Sequence, residues 1–279
     1  MTSPSGHPTK LLDVPGRGRD RRARKPHVIS DRTSRILKAG KIISIVGLSR
    51  FLGCRRILEI GCGSGLISVT LASEGNSDLV IDAVDVVDSR VETEGYRFSL
   101  VHDTTLPFGD GVFDLVITNH VIEHVGDEST QLSHLAEVKR VTAENGLIYF
   151  AAPNKWRLVE PHYRLPLLSW LPRSASDRYL RFTRLAAYYD CFPRSRSHFI
   201  RLFETAGLAH ADRTTAALRQ TLVLEHPDHV ATRLVNAACP DWLLGLGKPV
   251  VPTLVFLLRH ASSCTNDDGV RPTAEHELH

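Results

Sequence analysis

What most constrains this chain is a series of short, largely apolar runs without strict alternation of apolar and polar residues. They fall at 55–60 (RRILEI), 79–87 (LVIDAVDVV), 96–103 (YRFSLVHD), 113–119 (FDLVITN) and 146–153 (GLIYFAAP). A strand with one wet face alternates, whereas a strand covered on both faces needs apolar residues on each side and reads as a continuous run. Between these runs lie stretches with helical spacing. Ile36, Ile42, Ile43 and Val46 mark a helix ahead of the first strand, LISVTLASEG one that ends near Gly75, and Leu132, Leu135, Ala136 and Val138 one within 128–142. Strands alternating with helices predict an α/β fold, doubly wound, with a mostly parallel sheet and helices on both faces. SRSHFIRLFETAGL (195–208) predicts a further capped helix, and PTLVFLLRH (252–260) a last buried strand.

The 279 residues suffice for one core domain with appendages. Residues 1–30 carry seven Lys/Arg against two Asp, a net +5, and residues 261–279 one Arg against four acids, a net −3. The expected division is a disordered basic tail at 1–30, a domain over 31–260 and a loose tail at 261–279. RGRDRRARK (17–25) has the charge to touch nucleic acid or anionic lipid, although such Arg-rich tails are commonly just solvated. The five cysteines, Cys54, Cys62, Cys191, Cys239 and Cys264, form no CxxC pair, which suggests neither a disulfide framework nor a zinc knuckle. With no apolar leader and no run of membrane-spanning length, a cytoplasmic protein is expected.

The chemistry concentrates at strand ends. After the first run comes GCGSG, where Gly61, Gly63 and Gly65 let backbone pass close to a ligand. A dinucleotide fingerprint would place a third glycine at 66, where Leu66 stands, and Glu59 would repel a pyrophosphate but suit a cationic ligand. After the 113–119 run, His120, Glu123 and His124 spell HxxEH. Two readings meet there: zinc on a helix face with the Glu as base, or a turn at the edge of a cofactor site. The histidines follow a strand directly and precede Val125-Gly126-Asp127, which leaves no room for the helix a zinc site needs. No metal is expected.

LEIGCGSG resembles the first motif of class I S-adenosylmethionine-dependent methyltransferases. VHDTTLPFGDGVFDLVITNHVIEHVGD (101–127) is similar to the stretch typical of the branch with quinone-biosynthesis and small-molecule methyltransferases. The resemblance covers about 55–153 and, more loosely, 195–215. It implies a Rossmann-like fold with a seven-stranded sheet and an α-helical cap over about 154–193 and 228–247. It also implies S-adenosyl-L-methionine as cofactor. Gly61, Gly63 and Gly65 would line the methionine part and Glu59 would be drawn toward its ammonium. Asp85 would bind the ribose hydroxyls, Asp103 the adenine amino group, and the Asn119 carbonyl would lie near the ammonium. Asp82 competes with Asp85, which is preferred as the residue at the strand end. AENGL stands where the family commonly has PGG before the fifth strand, and Thr104 replaces a frequent small residue.

His124, with His120 as a second candidate, would take the proton from an acceptor hydroxyl. His162, Tyr163, Arg164 and Trp156 are candidate substrate residues, in a stretch with six arginines between Arg157 and Arg184. Arginine forks and aromatic walls suit an anionic, amphipathic or lipid-linked acceptor; the alternative is that the arginines are solvated and the aromatics form the cap's own core. The expected function is O-methylation of a small-molecule, sugar or lipid-linked acceptor, with peripheral membrane contact left open. A nucleic-acid methyltransferase is disfavoured because TNHVIEH (118–124), at the end of the fourth strand, lacks an NPPY-type motif. A non-catalytic protein of the same fold is disfavoured by the intact glycine loop. The sequence does not indicate an oligomeric state.

Overall fold

A computed structural model describes residues 32–160, 163–225, 232–233 and 239–263. The basic stretch 17–25, His162, Cys264 and most of the acidic tail lie outside the described residues, as does much of 228–238. Two helices, α1 (Arg32–Val46) and α2 (Leu48–Leu52), precede the first strand, β1 (Arg56–Ile60). Then follow α3 (Leu66–Glu74), β2 (Val80–Asp85), β3 (Arg97–Leu100), β4 (Phe113–Asn119), α4 (Glu128–Val141) and β5 (Thr142–Pro153). After β5 the chain forms a hairpin of β6 (Val159–Glu160) and β7 (Leu165–Pro166), then α5 (Arg173–Thr183) and α6 (Arg196–Thr205). It closes with β8 (Leu208–Asp212), α7 (Thr214–Glu225), α8 (Asp241–Gly245) and β9 (Thr253–His260).

The main sheet has seven strands in the order β3-β2-β1-β4-β5-β9-β8. The five strands from β3 to β5 pair parallel, and β9 runs antiparallel to both neighbours. Strand order reverses between β1 and β4, which opens a crevice at the carboxyl ends of those two strands.

Alternate residues along each strand enter opposite cores. Leu58, Val116, Ile148, Phe150 and Phe256 pack against α4 and α6 through Leu135, Val138, Phe199 and Phe203. Ile57, Leu115, Ile117, Tyr149 and Val255 pack against α1, α3 and α7 through Ile42, Ile67, Leu71 and Ala217. This two-sided burial is why the strands read as continuous apolar runs. Local signals set the helix starts: Asp127 accepts a hydrogen bond from the Thr130 amide at 3.0 Å, and Ser195 from that of His198 at 3.3 Å.

The structure differs from the sequence reading in three places. β5 begins at Thr142, four residues before Gly146, with a register irregularity between Thr142 and Leu147, opposite Phe113–Leu115. The stretch 154–193 is not purely helical but carries the β6/β7 hairpin beside α5. α7 was not anticipated, whereas the DWLLGLG stretch is helical as α8.

Phe150 is fully buried and meets the rings of Phe199 and Phe203 at centroid distances of 5.2 and 5.0 Å. Phe150→Ala is expected to cost ~3–5 kcal/mol of folding stability, the range for truncating a buried aromatic; urea unfolding followed by circular dichroism measures it.

Candidate active site

The crevice is built first by the glycine bend that joins β1 to α3. Gly61 and Gly65 have φ of +74° and +77°, a region that side chains strain to adopt. A β-carbon on Gly61 would sit 2.5 Å from Val121 Cγ2, and one on Gly65 would strike the Tyr96 hydroxyl and the Glu92 carbonyl. Glycine is therefore demanded by close approach as well as by dihedral angle. The bend is pinned to the neighbouring strand: Asp85 accepts from the Gly63 amide at 2.8 Å and from the Val86 amide at 2.7 Å. Asp82 is buried inside β2 and paired with Arg56 at 2.9 Å, away from the strand end.

Glu59, the penultimate residue of β1, is buried and accepts a short hydrogen bond from the Ser68 hydroxyl on α3. Burial pushes its carboxyl up to about 7, against the opposing pull of Ser68 and of Arg35 on α1. Asp103 lies exposed after β3 and accepts from the Thr105 amide at 2.8 Å. The LPFGD stretch that follows is held by Arg140 of α4, which donates to the Phe108 carbonyl at 2.8 Å and to Asp110 at 2.7 Å. Asp114 accepts from the amides of Arg55 and Arg56, so it organises the entry to β1.

On the opposite side of the crevice, β4 ends at Asn119 and the chain turns sharply. His120 has φ +60°, and its amide donates to the Ala151 carbonyl at 2.8 Å. A single 3-10 turn, Ile122–His124, leads on toward α4. The imidazoles of His120 and His124 therefore do not share a helix face as a zinc site would require. Among the described residues no group of three His, Cys, Asp or Glu side chains is arranged to hold a metal ion.

Glu123 is completely buried. Its Oε1 lies 3.3 Å from His120 Nδ1 and 3.9 Å from His124 Nε2. Burial alone would raise its carboxyl, but the two imidazoles outweigh that and hold it below the usual carboxylate range. His120 Nε2 sits 3.4 Å from the Thr253 hydroxyl, and His124 Nδ1 is 3.9 Å from Cys191 Sγ.

The stretch after β5 is moored to this turn. The Phe192 amide donates to the Glu123 carbonyl at 2.8 Å, and Gln131 joins the Ile122 carbonyl to Arg194. Of the candidate substrate residues, Tyr163 belongs to a small core with Leu168, Leu180, Tyr189 and Cys191, and its hydroxyl bonds Asp190 at 3.1 Å. Arg164 is exposed. Trp156 is 39% exposed and stands edge-on to Trp170. Arg157 is buried, paired with Glu160 at 2.5 Å, and unavailable as an anion fork. Glu123, Ser68, Tyr96 and Thr253 were not assigned site roles from sequence, and only Glu123 carried a signal, its place in HxxEH.

A glycine bend beside a strand-end carboxylate, at the reversal of a 3-2-1-4-5 sheet with an antiparallel strand beyond it, defines the architecture of a class I methyltransferase. Residues 58–150 match the family model described as a methyltransferase domain, and the sheet around them has the Rossmann-like, mostly parallel order of the S-adenosyl-L-methionine-dependent methyltransferase fold. A ubiquinone biosynthesis O-methyltransferase of Rickettsia akari is 28% identical over 156 residues, 51% of this chain and 58% of the relative. One from Caulobacter sp. (strain K31) is 30% identical over 149 residues, 48% of this chain and 56% of the relative. The chain thus spans just over half the length of the curated relatives it matches. Among solved structures, the plantazolicin methyltransferase BpumL, in complex with a monoazolic desmethylPZN analog and SAH, aligns at TM-score 0.51 and 13% identity. That alignment covers 83% of this chain and 86% of BpumL. An S-adenosylmethionine dependent methyltransferase from Mesorhizobium loti aligns at 0.50 and 13%, covering 76% and 93%. At such identity the two structures bear on fold alone.

The residues fit the class cofactor: the glycine bend follows the carboxyl end of β1, with the carboxylates of Glu59 and Asp85 beside it. Asp85→Ala is expected to weaken S-adenosylhomocysteine binding by ~10- to 100-fold, the loss of hydrogen bonds to a charged acceptor. Asp82→Ala should leave that affinity intact while lowering stability; calorimetric titration and melting of both variants compare them. Glu59 adds a pH dependence. Its folded carboxyl is raised above the unfolded value near 4.5, so its stability contribution is fully present below that value and is lost as pH rises toward about 7. The melting temperature of Glu59→Gln should therefore fall less than that of the unaltered protein between pH 5 and 7.5, read by scanning calorimetry in matched buffers.

Proposed function

We propose that the chain transfers a methyl group from S-adenosyl-L-methionine to a hydroxyl oxygen of a small biosynthetic acceptor that is amphipathic or lipid-linked. The observation that carries this reading is the pairing, across one crevice, of the Gly61–Gly65 bend and Asp85 with the imidazole-bearing turn after β4. The O-methyltransferase names of the curated relatives support oxygen as the atom modified and a quinone-like acceptor as the first class to try.

The cofactor, when bound, supplies an activated methyl on a sulfonium centre. Gly61, Gly63 and Gly65 would line its methionine part, with Glu59 and the Asn119 carbonyl toward the ammonium. Asp85 would take the ribose hydroxyls and Asp103 the adenine amino group. The protein's remaining tasks are to align the acceptor oxygen, exclude water and remove one proton, alignment being the larger effect at several kcal/mol. An imidazole of the His120–His124 turn is suited to the proton, histidine being the side chain most often used as a general base.

The stretch 154–193, joined by residues up to 247, would act as a substrate cap. Its surface supports an acceptor with an apolar part: Trp156, Leu158, Val159 and Phe182 are exposed, as are Trp242 and Leu246 nearby in α8 and the turn after it. Arg164, Arg173, Arg178, Arg181 and Arg184 supply positive charge around them. Among the described residues no helix is long and apolar enough to cross a membrane, so lipid contact would be peripheral.

Saturating S-adenosylhomocysteine should raise the melting temperature, because a ligand specific for the folded state stabilises it by ~2.7 kcal/mol at a hundredfold excess over Kd. Transfer of radiolabelled methyl to a panel of polyprenylated catechols, simple phenols, phosphosugars and RNA should favour the prenylated catechols. Absence of a thermal shift removes the cofactor assignment, and preferential labelling of RNA removes the acceptor class.

A further inference from the structure

We propose that Glu123 is the positioning carboxylate of a His120–Glu123 pair. It holds the proton on His120 Nδ1, so that Nε2, resting against the Thr253 hydroxyl, is the atom that takes the acceptor's proton. The inference rests on the methyl-transfer reading and selects between the two imidazoles that reading leaves open.

The first argument is electrostatic. Glu123 has no solvent exposure, and among the described residues neither carboxylate oxygen makes a well-aligned hydrogen bond. A lone buried charge of that kind is strongly destabilising unless a partner charge can form beside it. The groups around it on each packed element are few. α4 presents His134 and Gln131; burial depresses His134 to about 4, so it stays neutral, and Gln131 is uncharged. The leg at 190–192 presents Cys191, whose thiol is driven upward by burial and by Asp190, and stays protonated. Among the described residues the basic side chains within 4 Å of Glu123 are His120 and His124, and His120 is nearer, at 3.3 Å against 3.9 Å.

The second argument is geometric. His120 occupies a left-handed backbone conformation at φ +60°, uncommon for a residue with a side chain, and is held there by its amide bond to Ala151. The ring spans Glu123 at Nδ1 and Thr253 Oγ1 at Nε2. Thr253 pairs with Pro153 at the carboxyl edge of β5. The next residue, Val121, packs over Gly61, so His120 stands beside the glycine bend. Nδ1 is the ring nitrogen nearer the carboxylate, so a proton held there leaves Nε2 an acceptor, and the Thr253 hydroxyl marks where an incoming hydroxyl would bind. The hydroxyl proton passes to Nε2, the oxygen electron pair forms the O–CH3 bond, and the S–CH3 electron pair remains on sulfur. The imidazolium formed is stabilised by the adjacent carboxylate. His124 is set farther from the carboxylate, with Nδ1 3.9 Å from Cys191 Sγ on the mooring leg and Nε2 3.9 Å from Glu123.

The test uses the full chain labelled with 15N-histidine, with His120 assigned from its absence in His120→Gln. The expected spectrum shows His120 as the Nδ1–H tautomer in the unaltered protein, and Glu123→Gln shifts it toward Nε2–H while S-adenosylhomocysteine affinity stays within about threefold. Thr253→Val, which leaves the carboxylate in place, should keep the tautomer and move the Nε2 resonance, and this serves if Glu123→Gln does not fold. With any acceptor found in the panel, Glu123→Gln should lower kcat by ~10²- to 10⁴-fold with little change in KM, the range for a base losing its tautomer or its proton-transfer role. An Nε2–H tautomer in the unaltered protein, or a tautomer or kcat indifferent to Glu123→Gln, overturns the pair. Failure to bind S-adenosylhomocysteine would instead overturn the methyl-transfer reading and leave the tautomer result standing.

Discussion

The hydrogen bond from the Gly63 amide to the Asp85 carboxylate fixes the crevice on which the rest of the site depends. A loop with three glycines loses more backbone freedom on ordering than any other of its length. Left to itself it would sample many shapes. One carboxylate at the end of β2 ties it to the sheet, and backbone bonds from Val91 and Glu92 to the Ser64 carbonyl hold it from the other side. Tyr96 then lies over Gly65, its hydroxyl bonded to the Glu92 carbonyl at 2.5 Å. The bend is thereby preorganised, and ordering a ligand there costs correspondingly less.

The same economy explains what could be read directly from the chain. Strands covered on both faces announce themselves by composition, so β1, β4 and the later half of β5 were legible within a residue or two. The glycine bend and Asp85 were legible because backbone approach and strand-end position are coded locally. Asp82 and Asp85 sit three residues apart on β2 and so point to opposite faces: Asp82 pairs with Arg56 on β1, whereas Asp85, the last residue of the strand, reaches the Gly63 amide.

What could not be read depends on contacts far apart in sequence or on residues with weak local signals. α7 begins TTAAL, and its packing into the second core comes through Ala217 with no strong apolar stripe. The β6/β7 hairpin has only two residues per strand, and its left-handed positions are Arg164 and Leu167 in place of the glycine or asparagine that would have marked a turn. The roles of Thr253, Cys191 and Ser68 exist only because the fold brings them to the crevice.

Two buried carboxylates near the crevice show how differently one group can be used. Glu160 faces Arg157, and its second oxygen accepts from the Tyr163 amide at 2.8 Å, so charge and hydrogen bonds are matched within the stretch after β5. That pair stabilises the local core of Tyr163, Tyr189 and Leu168 and has little left to offer a ligand. Glu123 is matched incompletely: its neighbours are the imidazoles of His120 at 3.3 Å and His124 at 3.9 Å, and neither carboxylate oxygen has a well-aligned hydrogen bond. A structural ion pair lowers its energy once, on folding; a carboxylate beside an imidazole gains most when that imidazole becomes charged. The Phe192 amide on the Glu123 carbonyl means that the same turn also anchors the mooring leg.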